Sequence, residues 1–498
     1  MYKYIAVATC GLAPIVSGAL HNTPIETKNG DVLGYPAFNS SNTGNLTHWK
    51  DITVWKGIPF AATTGGQNRW KAPQPVSAWN GTLDAKNFGS VCPSATDGNN
   101  DYTIDEDCLN LNIWSPANST DAKPPVVMWS YPALSTAADA LFDGGGMADQ
   151  GIVFVNYNYR TGSFGWLATP ELTEEFDNGH NTSGNWGMLD QFAALKWIKA
   201  NIAEFGGDPD HITVMGQSAG SAATQHILNS PLTKGLIVGA IIESGVRDPQ
   251  DPLCTSLAEA YTTIDSSYST GTSYLKSLNV STIAEARELP MENTYYNTLV
   301  NKLAQDVPVI TGNTKDESGA SYGLDITVSE YLTDLNETYS GVWPQRFLDQ
   351  YPAHDNTTAS GAYNSQFTDR SKVGTWFWSQ LWNKAYSSPV YNYIWDHAPP
   401  GQDQGAYHES EINYVLNNLY ATDMPWAAED YVIANKMNGY WSNFIKTGNP
   451  NGHGLTAWSA ANSSALVQHV GDGWGQIPAA SSRKVSLFKS WFSTLHKY

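Results

Sequence analysis

The chain has 498 residues, 41% of them hydrophobic, and a formal net charge of -20. That acidity excludes a nucleic-acid partner, whose phosphates require a basic surface. It argues equally against docking on anionic membranes and is read simply as solubility.

In chain order, the N-terminus reads as a secretory leader: Lys3 supplies the charge, Ile5 to Val16 a short apolar run, and Ser17-Gly18-Ala19 a small-residue cleavage site. The run is too short to span a bilayer, and no later segment is long and apolar enough. Residues 1–19 are therefore expected to be removed, leaving 20–498 as a single soluble domain outside the cell. Nine Asn-x-Ser/Thr sequons, at Asn39, Asn45, Asn80, Asn118, Asn181, Asn279, Asn336, Asn356 and Asn462, suggest a secreted glycoprotein. Cys10 leaves with the leader. Cys92 and Cys108 bracket a polar loop and are expected to form a disulfide in an oxidising compartment. Cys254 has Leu257, Ala258 and Tyr261 at helical spacing and reads as a buried helical thiol.

Pro125 to Trp129 and Ile152 to Tyr157 are apolar, β-branched runs of the kind buried on both faces of a sheet. Trp186 to Phe205 predicts an amphipathic helix with Leu189, Phe192, Ala193, Leu195, Ile198 and Ile202 on its apolar side. His211 to Met215 predicts a strand, Ser221 to Leu228 a helix, and Val238 to Ile242 another strand. This βαβ rhythm implies a parallel sheet covered by helices. Asp248 to Ala304 and Thr327 to Asn383 read as helical insertions over one edge of it.

Between the third strand and its helix lies Gly216-Gln217-Ser218-Ala219-Gly220. A strand, Gly-x-Ser-x-Gly and a helix, in that order, describe a turn that projects a serine hydroxyl clear of the sheet. The helix that follows aims free N–H groups and its positive dipole end at that serine. A serine hydroxyl is a poor nucleophile until a neutral histidine, oriented by a carboxylate, takes its proton.

Further motifs extend along the chain: Trp55-Lys56-Gly57-Ile58-Pro59-Phe60-Ala61, Arg69-Trp70-Lys71-Ala72-Pro73-Gln74-Pro75, Glu106-Asp107-Cys108-Leu109-Asn110-Leu111-Asn112-Ile113-Trp114, Asn185-Trp186-Gly187-Met188-Leu189-Asp190-Gln191, Phe205-Gly206-Gly207-Asp208-Pro209 and Thr447-Gly448-Asn449-Pro450-Asn451. With these, nearly the whole mature chain resembles the type-B carboxylesterase/lipase family, which also contains the cholinesterases, and within it a secreted fungal-type branch. The resemblance implies an α/β-hydrolase fold: a large, mostly parallel, twisted central sheet flanked by helices, with helical insertions. It implies neither a cofactor nor a metal.

In that fold the order is serine, acid, histidine, which leaves His354, His397, His408, His453, His469 and His496 as bases; spacing alone does not choose among them. The resemblance does. Gly312-Asn313-Thr314-Lys315-Asp316-Glu317-Ser318-Gly319 is similar to the acid-bearing loop, and Gly405-Ala406-Tyr407-His408-Glu409-Ser410-Glu411 to the histidine loop, giving a triad of Ser218, Glu317 and His408.

Ala219 N–H, just after the nucleophile, is one expected oxyanion donor. By resemblance the others come from a glycine triplet, where this chain has Pro132-Ala133-Leu134. Proline has no N–H, but it falls on the non-donating position, so Ala133 and Leu134 are the expected donors provided neither needs positive φ, which strains leucine. Their side chains should narrow the acyl side of the pocket.

Gln217 stands where many relatives have glutamate, removing a charge that would favour cationic substrates. The loop 93–107 is short and lacks tryptophan, so it offers no cation–π platform for a quaternary ammonium and no long lipase lid. Glu411 resembles a carboxylate that steadies the surroundings of Ser218. The expected activity is hydrolysis of small, neutral carboxylic esters, with oligomeric state left open. The alternatives are a weakly active or inactive binding protein on the same fold, which the altered triplet favours, and a lipase.

Overall fold

The computed structural model describes residues 19–39, 43–93, 102–175, 183–251, 263–277 and 304–495. The first strands are β1 (Ile25–Thr27), β2 (Gly30–Leu33), β3 (Tyr35–Pro36), β4 (Thr53–Pro59), β5 (Thr82–Asp84), β6 (Asn110–Ser115) and β7 (Val126–Ser130). They are followed by β8 (Val153–Tyr157), β9 (Ile212–Gln217), β10 (Gly239–Glu243), β11 (Val309–Thr314), β12 (Val390–Trp395), β13 (Leu466–Val470) and β14 (Gly475–Pro478). Strands β1, β2 and β5 form a small separate sheet. The other eleven form one sheet in the order β14-β13-β12-β11-β10-β9-β7-β8-β6-β4-β3.

From β13 through β8 every neighbouring pair is parallel; the pairs at both ends are antiparallel. Strands β6 through β12 are buried at every position. A strand buried at successive residues has both of its faces covered, which is why β7 and β10 read as near-continuous apolar runs, whereas β6 alternates and buries Asn110 and Asn112 by hydrogen-bonding them.

Four helices matter below: α1 (Trp186–Asn201), α2 (Ala219–Asn229), α3 (Asn356–Ala385) and α4 (Ala428–Thr447). The predicted amphipathic helix is shorter than expected, its last residues forming a 3-10 turn, Ile202–Phe205. It is also not one-sided. Asp190, Gln191 and Asn201 are buried along with its apolar residues, because Asp190 takes a bidentate pair from Arg160 (Nη2–Oδ1 2.7 Å, Nε–Oδ2 2.8 Å) and so enters the core neutralised.

The second insertion is helical as expected. It ends in α3, which packs against β11, β12 and β13 and whose start is capped by Asp355 accepting Thr358 N–H at 2.8 Å. Of the first insertion 248–251, 263–277 and Ala304 are described, mostly as the helix Ile264–Ser277. Residues 1–18, with Cys10, lie outside the described residues, as do Cys254, Asn181, Asn279 and His496. The other seven sequon asparagines are exposed. No helix among the described residues is long and apolar enough to cross a membrane.

Candidate active site

The segments carrying chemistry leave the carboxyl ends of neighbouring parallel strands, where open α/β sheets form their clefts. Tyr131 to Leu134 follows β7, Ser218 follows β9, Arg247 and Glu317 follow β10 and β11, and His408 lies beyond β12.

Ser218 takes φ 54° and ψ -118° between β9 and α2, a strained conformation that costs about 1–3 kcal/mol and must be held by its surroundings. The flanking glycines show what holds it. A Cβ on Gly216 would run into the Gly220 carbonyl, and one on Gly220 into the carbonyl of Ser130, at the end of β7. Ser218 N–H donates to Glu243 O at 3.0 Å, and Ser218 O accepts from Ser221 and Ala222 N–H at 2.9 and 3.2 Å.

Glu317 is nearly buried. Its Oε1 accepts Thr314 N–H at 3.0 Å and its Oε2 accepts His408 Nδ1–H at 2.5 Å. With its proton on Nδ1, the imidazole keeps a lone pair on Nε2. The two loops are also tied through backbone: Asp316 N–H donates to Ala406 O at 3.0 Å, and Ala406 N–H donates to Asp316 Oδ2 at 2.8 Å. Gly405, at φ 69°, lies so close to Asp316 Oδ2 that no Cβ fits. Behind the acid, the fully buried Arg247 brings Nη2 to 4.0 Å from Glu317 Oε1 and donates to Ser318 Oγ at 2.5 Å.

Burial pushes the Glu317 carboxyl up. It is outweighed by the bond to His408, the charge on that ring, Arg247 and the Thr314 N–H, so the acid sits below the usual carboxylate range. Burial pulls His408 down, but the Glu317 bond and charge, with Glu411 and Glu409 behind them, raise it above the ordinary imidazole value. No hydrogen bond joins Ser218 to His408. The ring instead rests beside Gln217, whose Nε2 is 3.4 Å from both ring nitrogens. Equal distances put that amide over the ring rather than along a lone pair.

The expected oxyanion segment is anchored by Tyr131, which is buried and stacked on Tyr159 at 4.6 Å. Beyond it the chain emerges: Ala133 and Leu134 are exposed, Leu134 to 68%. Leu134 has φ 64°, so the condition that neither donor residue needs positive φ is not met.

Among the competing histidines, His397 is held between Asp472 (2.5 Å) and Asp430 (3.0 Å), and His469 by Asp396 (2.7 Å); His354 and His453 are exposed. Cys92 and Cys108 form the expected disulfide. Sequence reading missed Arg247, Asp316 and Glu243. The available signal was their position just past, or at the end of, a buried parallel strand.

A mostly parallel sheet with a serine on a strand-to-helix elbow, and a carboxylate-bound histidine against the residue before that serine, defines an α/β hydrolase. The Carboxylesterase family profile matches residues 21–470. Fumonisin B1 esterase of Sphingopyxis macrogoltabida is 32% identical over 445 residues, 82% of this chain and 81% of its own. Para-nitrobenzyl esterase of Bacillus subtilis (strain 168) is 31% identical over 442 residues, 80% and 87% of the two chains. Bile salt-activated lipase of Bos taurus is 30% identical over 475 residues, 81% and 76%. A solved PNB esterase structure shares the fold, with a TM-score of 0.74 at 24% identity over 93% of this chain and 99% of the other. The chain belongs to the carboxylesterase family and is a serine carboxylic ester hydrolase.

Proposed function

We propose that this chain hydrolyses neutral carboxylic esters through an acyl-enzyme on Ser218. The observation that carries the reading is the Glu317–His408 bond beside the Ser218 elbow. Ser218 Oγ adds to the ester carbonyl carbon while His408 Nε2 takes its proton. Glu317 holds the ring in the tautomer this requires and stabilises the imidazolium. The negative charge passes to the former carbonyl oxygen, facing the N–H groups of Ala219, Ala133 and Leu134, each worth about 3 kcal/mol where aligned. Collapse expels the alcohol, which takes the proton from His408. Water then repeats the sequence, releasing the acid and restoring Ser218. In the free site His408 rests on Gln217; nucleophile–base bonds commonly tighten only when substrate is seated.

The test is turnover of a small chromogenic acetate ester by wild type and Ser218→Ala. Loss of nearly all activity in the variant is expected, and equal rates defeat the reading. The positive φ of Leu134 favours a second reading, a weakly active binding protein; an efficient wild type removes it. A rate that jumps at an oil–water interface would move the substrate class to lipids. A secreted, glycosylated mature chain starting near Leu20 completes the proposal, supported by the seven exposed sequon asparagines and the Cys92–Cys108 bridge.

A further inference from the structure

Behind the nucleophile two carboxylates are sealed in without a cation. Glu243 ends β10 directly opposite Gln217 in the parallel register of β9 and β10. The next residue, Ser244, donates its hydroxyl to Glu411 Oε1 at 3.5 Å, which brings the Glu411 carboxyl to the end of the same strand. Glu243, Glu411 and Gln217 are all 0% exposed. Glu243 Oε1 accepts Trp441 Nε1–H, from α4, at 2.7 Å. Three acceptors remain without a donor: Glu243 Oε2, Glu411 Oε2 and Gln217 Oε1.

The charged and titratable groups facing this cluster are few. From the loop beyond β12 come Tyr407, His408 and Glu409, from the loop after β11 comes Glu317, and on β12 the phenol of Tyr393 faces both carboxylates. Arg247 turns to Glu317. Among the described residues no lysine or arginine reaches Glu243 or Glu411 as an ion pair. An unpaired buried carboxylate costs several kcal/mol, and two of them interacting in a dry site cannot both ionise. A single proton removes one of the charges and adds a donor to the Tyr393 O–H, whose one proton turns to Glu411 and cannot also satisfy Glu243 and Gln217.

We propose that Glu243 and Glu411 hold one proton between them at neutral pH, as an acid–carboxylate pair, and that through it Glu243 acts as a positioning residue for Gln217 and His408. An O–H donated to Gln217 Oε1 fixes the amide with its Nε2 toward the imidazole, the orientation observed. The pair then places one negative charge, not two, behind the ring. Burial pushes both carboxyls up, Glu243 to about 8 and Glu411 well above the ordinary range. When the shared proton leaves in alkaline solution, Gln217 loses its partner and a second charge opposes the developing oxyanion, so kcat falls.

Only the kinetic part of the test rests on the proposed roles of Ser218 and His408. The full-length protein with isotope-labelled glutamate carboxyls is examined by infrared spectroscopy. A protonated-acid carbonyl band is expected in wild type at neutral pH. It should vanish in Glu243→Gln and in Glu411→Gln, because the introduced amide donates permanently and leaves the partner ionised. No band in wild type, or a band surviving both substitutions, overturns the proposal, and the wild-type spectrum decides even if a variant fails to fold. In kinetics, the kcat ratio of Glu243→Gln to wild type is expected to rise at least about threefold between neutral and alkaline pH; parallel profiles overturn the positioning role. If Ser218→Ala keeps wild-type turnover, the hydrolase reading fails while the infrared result still stands.

Discussion

Glu317→Gln removes a charge and keeps the shape, and its effects follow from two contacts and one pKa shift. The first is the 2.5 Å bond from His408 Nδ1. A glutamine can turn its NH2 toward that nitrogen and drive the ring proton to Nε2, where it blocks the base. The equivalent change in a serine-protease triad lowers kcat by about ten-thousandfold, or about 5 kcal/mol of barrier. The second is Arg247, 4.0 Å away and fully buried. At an effective dielectric of 20 that separation is worth about 4 kcal/mol of attraction, so loss of the Glu317 charge is also expected to lower stability.

The third effect concerns pH. His408 stands above its ordinary value because of Glu317, against the pull of burial. Wild-type activity is therefore expected to fall as pH drops through that raised value, where the ring becomes charged and stops acting as a base. In the variant the ring titrates lower, so the residual activity should persist to more acid pH. The assay is kcat and KM on a chromogenic acetate ester from about pH 5 to about pH 9, with denaturant unfolding of both proteins. A loss under about tenfold with an unmoved acid limb would refute both the assigned acid and the reasoning from geometry.

Leu134→Gly should stabilise the protein by up to about 1 kcal/mol, because removing left-handed strain of about 1–2 kcal/mol outweighs the added chain entropy of glycine; Leu134→Ala keeps the strain, so an equal gain from alanine in thermal unfolding would refute the cause. Replacing Cys92 and Cys108 by alanine, 16 residues apart, is expected to cost about 3 kcal/mol in denaturant unfolding, and thiol titration of the denatured wild type should rise by two on reduction. His397 feels burial pulling it down, but its bonds to Asp472 and Asp430 outweigh that and raise it. Its ion pairs should contribute about 1.5–3 kcal/mol, in full below the unfolded imidazole value of about 6.5 and lost as pH rises through the higher folded value. A stability difference between wild type and His397→Gln that does not shrink from about pH 6 to about pH 9 counts against this clamp.

The central strands were legible because burial on both faces writes an apolar run, and the elbow because its strand, Gly-x-Ser-x-Gly and helix follow one another in sequence. Choosing a base was different. His397 and His469 also carry carboxylate partners, so pairing with an acid does not distinguish His408; only the flanking motif does. Arg247 and Asp316 were not legible, since one acts through a 4.0 Å approach and the other through a backbone clamp between loops about ninety residues apart. The strain at Leu134 could be posed as a condition but not answered, because φ is set by the tertiary course of the loop and not by leucine itself. The burial of α1 on nearly all sides escaped a periodicity argument because Asp190 looks polar until Arg160 is beside it.

The contact between Gly220 and the Ser130 carbonyl bears on how this enzyme can be altered. The Ser218 turn and the segment proposed to cradle the developing oxyanion are spaced by hard-sphere exclusion, so no graded adjustment is open at 216 or 220: any bulk there pushes both out of place together. Directed evolution for new esters should find that door shut and advance instead at 133 and 134, whose side chains stand in solvent, where libraries can change the rim while the gap that spaces the catalytic parts stays untouched.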